Sequence, residues 1–275
     1  MNLETVQWVP IIVSLVITGM FSGTLAGLLG VGGGIINVPV LYFLFQYFGV
    51  SSGDAMLVAT GTSLATIIPT SISSMRAHHH RGNVDWQLIK RWSFFIVGGV
   101  TLGAYLVTQL DGDYFAAVFA LIALFMAFNL GFRNQSSAIF AQLPKMPWQG
   151  FLGTVIGFFS VMVGIGGGTL GVSILTAFNY AVHRAVGSSA VFGLLISLPG
   201  ALILLAASTT PGDALPGTYG YVNIPSLIAL VPLSVAFAPV GAWLGSKLDG
   251  NKLKKFFAVL LAITAIRMLV QVFSS

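Results

Sequence analysis

Apolar runs long enough to cross a lipid bilayer follow one another along nearly the whole chain, with only short connectors between them. A hydrocarbon core of about 30 Å takes about 20 apolar residues in a helix. No water inside that core can satisfy exposed amides, so each run must close its own backbone hydrogen bonds. Hydropathy and turn residues place segments at 8–29, 35–48, 55–75, 87–108 and 114–131, then at 148–164, 169–181, 186–207, 223–246 and 253–273. The segments at 35 and 169 are short for a crossing: each is either a tilted span or one arm of a re-entrant hairpin. Only 7% of residues are charged, against about 25% in soluble domains, which leaves no soluble domain of any size. The expected fold class is therefore an all-α polytopic membrane protein.

The start "MNLETVQWVP" has one acid and no base before its apolar run, so the run reads as a retained span rather than a signal peptide. The absence of cysteine removes disulfide and thiolate chemistry.

The two halves repeat. "GVGGG" from Gly30 returns as "GIGGG" from Gly164, 134 positions on. "GNVD" from Gly82 returns as "GYVN" from Gly220, "GAYL" from Gly103 as "GAWL" from Gly241, and "LDGD" from Leu110 as "LDGN" from Leu248, each 138 positions on. Four ordered matches at nearly constant offset, two of them polar, mark an internal duplication.

Charge placement then orients the copies. Arg76, Arg81, Lys90 and Arg91 flank one connector, and Arg133 and Lys145 lie in the mid-chain linker. Arg184 precedes the eighth segment, and Lys247, Lys252, Lys254 and Lys255 flank the last connector. Eleven of the twelve lysines and arginines fall on one side, which the positive-inside rule makes cytoplasmic. The connectors with Asp54, with Asp111 and Asp113, and with Asp213 fall on the other, and both termini are then outside. Matched strings consequently face opposite ways. The expected organisation is two inverted-topology repeats of about five segments each, residues 1–132 and 148–275, joined by a cytoplasmic linker at 133–147. Inverted repeats are a construction plan of secondary transporters.

Glycine clusters break helices, because each glycine costs roughly 0.8–1.0 kcal/mol against alanine and readily takes positive φ. Irregular backbone at membrane depth persists only where protein buries it or water reaches it, and the half-helix that follows offers free N–H groups and a positive dipole end. Gly30, Gly32, Gly33 and Gly34 in the first half, with Gly164, Gly166, Gly167 and Gly168 in the second, are expected to line a shared site for a small anion. "GVGGG" lacks the following Lys-Ser/Thr of a phosphate loop, so a nucleotide site is not expected. Gly19, Gly23 and Gly27, four apart, have the spacing of helix-packing residues.

These residues resemble the sulfite exporter TauE/SafE family of membrane transporters. The resemblance rests on "GLLGVGGGIINVPVL" at 27–41, on "ATGTSLATIIPTSISSMRAHHHRGNVDW" at 59–86, and on weaker second copies at "GIGGG" and "AVGSSAV". It covers essentially the whole chain. It implies export of sulfite, sulfonates or related anions from a bacterial inner membrane. Ser173 and Ile174 stand where the first copy has Pro39 and Val40, and GTSL is degraded to GSSA, so the two halves are expected to treat a substrate unequally.

Asn37, Thr62, Ser63 and Thr66, with Ser188 and Ser189, are the polar candidates for holding an anion, and the paired GTS and GSS strings favour Thr62, Ser63, Ser188 and Ser189. Each hydroxyl could instead bond its own helix backbone or a neighbouring helix. Arg267, the one basic residue off the cytoplasmic side, is either a substrate ligand or an interfacial anchor. Arg184 is read as a cytoplasmic anchor. "HHHR" at 78–81 is read as a solvated loop, because adjacent histidines project differently, so no metal is expected. The acids Glu4, Asp54, Asp85, Asp111, Asp113, Asp213 and Asp249 all fall at span ends, so carboxylate-based proton coupling has no support.

Without HExxH, a GxSxG elbow or cysteine, no enzyme and no cofactor is expected. The expected partners are a small anion and the lipid bilayer, not nucleic acid, and a homo-oligomer is left open. A non-transporting subunit of a larger complex and an anion channel are the alternatives.

Overall fold

The computed structural model describes residues 8–132, 139–207, 210–245, 247 and 250–274. The first half comprises α1 (Trp8–Leu29), α2 (Gly34–Tyr47), α3 (Ser52–His79), α4 (Trp86–Gln109) and α5 (Gly112–Phe132). The second comprises α6 (Trp148–Met162), α7 (Gly168–Ala177), α8 (Val182–Leu205), a hairpin of β1 (Thr218–Tyr219) and β2 (Val222–Asn223), α9 (Ile224–Gly245) and α10 (Gly250–Ser274). The Arg133 end of the expected linker, with Glu4 and Asp249, lies outside the described residues.

Six helices, α1, α3, α4, α5, α8 and α9, are long and apolar enough to cross a membrane. Large apolar side chains stand exposed on the outer faces, among them Phe94, Tyr114, Leu121, Ile228 and Ile263. Such a continuous apolar surface is stable only in lipid. The chain is an all-α polytopic membrane protein. At 1.5 Å per residue, the 14 residues of α2 and the 10 of α7 reach roughly 21 and 15 Å, short of a 30 Å core.

Helices α3 and α8 pack on each other at the centre. Helix α9 flanks α3 as α4 flanks α8, α1 lies along α9 as α6 lies along α4, and α2 leans on α3 as α7 leans on α8; α5 and α10 pair at one edge. The long seams are backbone against backbone. A Cβ at Gly23 would stand 2.3 Å from the Ser234 carbonyl oxygen, and one at Gly27 1.8 Å from that of Ala238, so α1 and α9 run parallel in close contact. At the α4–α6 seam, a Cβ at Gly157 would stand 2.1 Å from the Ile96 oxygen, and one at Gly99 2.1 Å from that of Thr154. Small residues let membrane helices approach this closely, and here both seams depend on them.

Two local features differ from expectation. Helix α3 continues through His79, because Arg76, His78 and His79 in its last turn complement the negative helix end. His78 is buried rather than solvated. The short β1–β2 hairpin also leads directly into α9.

Candidate functional site

After α1 the chain doubles back through Gly30, Gly32 and Gly33, whose φ values are 67°, 75° and 83°, and Gly33 caps α2. After α6 it turns through Gly164 (φ 60°), and Gly167 (φ 70°) caps α7. These conformations explain part of the glycine content, and the rest comes from the approach of the two breaks. A Cβ at Gly34 would stand 2.3 Å from the Gly164 carbonyl oxygen, and one at Gly168 2.0 Å from that of Gly30. A Cβ at Gly32 would meet the Gly166 Cα at 3.4 Å. Residues 30–34 and 164–168 thus lie antiparallel across each other, buried, with the N-termini of α2 and α7 at the crossing. First-turn N–H groups there have no carbonyl four residues back, and both helices present their positive ends.

Helices α3 and α8 supply the hydroxyls. Ser63 Oγ donates to the Gly164 carbonyl at 2.9 Å, tying α3 to the second break. Thr62 Oγ1 accepts the Asn223 N–H at 2.9 Å, and Ser188 Oγ accepts the Asp85 N–H at 3.0 Å. A Cβ at Gly61 would stand 2.1 Å from the Tyr221 oxygen, and one at Gly187 2.3 Å from that of Asn83. In both halves, therefore, glycine admits an incoming loop and the next hydroxyl holds it. Thr66 Oγ1 donates to Thr62 O within its own helix.

Several fully buried polar side chains have no partner: both amide atoms of Asn37, and the hydroxyls of Ser71, Ser160, Thr169, Ser189 and Ser197. They come from α2, α3, α6, α7 and α8, the helices that meet at the crossing. Ser189 Oγ lies 2.7 Å from where a Gly171 Cβ would be, and Ser71 Oγ 2.5 Å from that of Gly193, which itself abuts Gly166. An unpaired buried polar group costs about 1–3 kcal/mol, so each of these side chains carries a desolvation cost that the apolar core around it does not. Ser71, Ser160, Thr169 and Ser197 were missed from the sequence. Ser71 and Ser197 are 126 positions apart, as are Thr62 and Ser188, so extending the repeat along α3 and α8 would have found that pair.

Arg267 is not brought to this centre. It lies exposed on α10, with its guanidinium carbon 4.4 Å from the centroid of the Phe43 ring, near the far end of α2. The three histidines diverge: His78 Nε2 donates to Gly27 O at 2.7 Å, His79 Nδ1 accepts from Trp86 Nε1 at 3.3 Å, and His80 faces the α3–α9 seam. With Ser74 Oγ on Ala26 O at 2.9 Å, His78 satisfies the carbonyls that the end of α1 leaves open.

Asp85 organises one end of the molecule. Its Oδ1 accepts the Gln87 and Leu88 N–H groups at 3.0 Å each, capping α4. Its Oδ2 accepts the Tyr180 hydroxyl and, at 2.9 Å, Arg184 Nη2. Burial raises the Asp85 pKa, but the Tyr180 hydroxyl, the two amides and the Arg184 charge outweigh it and hold the carboxyl below its usual range. Burial, then the hydrogen bond and charge of Asp85, push the Tyr180 phenol up. At the matching position of the other half stands neutral Asn223. Its Oδ1 accepts the Ser226 N–H at 3.0 Å, and its Nδ2 donates to Thr218 Oγ1 at 2.9 Å. One loop is latched by charge and its counterpart by neutral bonds.

The fold and site define a membrane-embedded helical bundle whose two glycine breaks cross at its centre. The chain belongs to the sulfite exporter TauE/SafE family, whose profile matches residues 15–268. It is 32% identical over 255 residues to a probable membrane transporter protein of Haemophilus influenzae, covering 92% of this chain and 96% of the relative. It is 29% identical over 257 residues to one of Methanocaldococcus jannaschii, covering 93% and 94%, and 30% identical over 258 residues to YunE of Bacillus subtilis, covering 86% of each. No solved structure matches the chain. It is a membrane transporter, not merely a membrane-embedded bundle.

Proposed function

We propose that the chain is a secondary transporter that exports a small anion, a sulfite, organosulfonate or related oxyanion, by alternating access at the glycine crossing. The single observation that carries this reading is the antiparallel meeting of residues 30–34 and 164–168 among buried hydroxyls and an amide that lack partners. Two helix N-termini and neutral donors suit an anion that must be held weakly enough to leave. The reading takes the halves as inverted repeats in a bacterial inner membrane, with the basic ends and the 139–147 stretch cytoplasmic and both termini outside. The matched helix pairings and the charge asymmetry support it. The 82–85 loop then closes the site from the cytoplasm, and the 220–223 hairpin closes it from outside. An inside-negative potential of about 100 mV drives out each negative charge by about 2.3 kcal/mol, so no coupling ion is required. The sulfur chemistry rests on the name of the family.

The test is flux into or out of proteoliposomes holding only the purified chain, under an imposed potential, for sulfite, sulfate, thiosulfate, sulfoacetate and small carboxylates. Potential-sensitive flux of one or more sulfur anions is expected. Absence of flux for every anion from correctly folded protein would overturn the reading in favour of a subunit that needs partners.

A further inference from the structure

Helices α3 and α9 leave a groove between them that the transport reading does not use. One stretch, about 470 Å³, is lined by Pro69, Ile72, Ser73, Arg76, His80 and Val235 among others. A second, about 500 Å³, continues past Pro69 along Ala65, Ile68, Ile228, Val231 and Pro232. The α3 residues recur every three or four positions from Ala65 to His80, so the groove follows one face of that helix for roughly 22 Å. That is the depth of one leaflet with its headgroup zone, half of about 40–45 Å.

The groove is amphipathic along its length. Its inner portion is aliphatic and lined by prolines 69 and 232, which present no amide to an apolar occupant, and Pro239 lies toward the basic end. Its end carries Arg76 and, one turn on, His80. Neither makes an ion pair among the described residues, and no acid is among the lining residues. Ser73 Oγ donates to Val235 O at 2.9 Å and pins the two helices at the middle of the seam.

We propose that this groove binds one anionic phospholipid, with its acyl chain along Pro69, Ile72 and Val235 and its phosphate against Arg76 and His80. A basic end on an apolar channel between transmembrane helices is the chemistry that selects acidic headgroups over zwitterionic ones. His78 and His79 make their contacts elsewhere, whereas His80 lines the groove.

The experiment is native mass spectrometry of the detergent-solubilised full chain with phosphatidylglycerol, with phosphatidylcholine, and with the chain-free headgroup glycerophosphoglycerol. One phosphatidylglycerol retained per chain, at least about fivefold preferred over phosphatidylcholine and not displaced by the headgroup alone, is expected. The surface variant Arg76→Gln/His80→Gln should abolish the preference in a protein that stays folded, its unfolding temperature falling by no more than the small helix-end contribution of Arg76. Val235→Trp, which fills the groove, should reduce retention of both lipids. Equal retention of the two lipids, a preference indifferent to the double variant, or competition by the headgroup alone would overturn the proposal; the last would identify a site for free anions.

Discussion

Asn37 buries a primary amide whose oxygen and nitrogen both lack partners, and Ser189 buries a hydroxyl in the same condition. Removing such groups should leave stability unchanged or raise it, because no hydrogen bond in the folded protein is lost and a desolvation cost is relieved. Ser63, by contrast, holds Gly164. Asn37→Ala and Ser189→Ala are therefore expected to keep or raise the unfolding temperature while cutting anion flux about tenfold or more, the effect of about 1.4 kcal/mol in binding. Ser63→Ala is expected to cost about 1 kcal/mol of stability. Thermal unfolding read beside flux separates the two, and a destabilised Asn37→Ala with normal flux would remove the amide from the site. Asn37 and the GTS and GSS pairs were legible in the sequence as polar groups beside the glycines. The tethering role of Thr62 and Ser188 was not, since their partners lie 161 and 103 positions away and local pattern carries no trace of them. Arg267 drew attention by its rarity, and its place over Phe43 depends on how α10 packs.

At the scale of elements, the charged latch gives one loop a pH dependence that its neutral counterpart lacks. Asp85 is held below its ordinary pKa, so its contribution is complete above about pH 4 and is lost as pH falls through the lower folded value. Tyr180 is raised, so its contribution is complete below about pH 10 and is lost only as pH climbs through the folded value. Asp85→Asn keeps a good helix cap but loses the pairing with Arg184. Wild type is expected to exceed this variant by at most about 1 kcal/mol at neutral pH, the scale of a partly exposed pair, and the gap should close below about pH 4. Unfolding midpoints across pH 3–7 check this, and a gap that stays constant would mean that the carboxylate charge plays no part. Helix positions were legible because apolar runs and glycine or proline turns are local signals; α1 starts and ends where expected. The last turn of α3 was misread because its basic residues resemble a loop, whereas at a helix C-terminus they are favourable.

For the whole molecule, the sequence supplied the duplication through GVGGG and GIGGG, and the structure supplied what those strings do to each other. Each glycine string is required by the carbonyls of the other, a mutual constraint that neither copy reveals alone. In the proposed function this crossing opens alternately to the two sides of the membrane. Because the chain has no cysteine, a single Ser189→Cys substitution gives a clean reporter. The decisive measurement is its rate of modification by a membrane-impermeant maleimide applied separately to each face of oriented proteoliposomes, with and without sulfoacetate. Modification from both faces, slowed by the anion on each, is the expected result. Modification from one face only, or rates indifferent to the anion on both, would contradict alternating access at the glycine crossing.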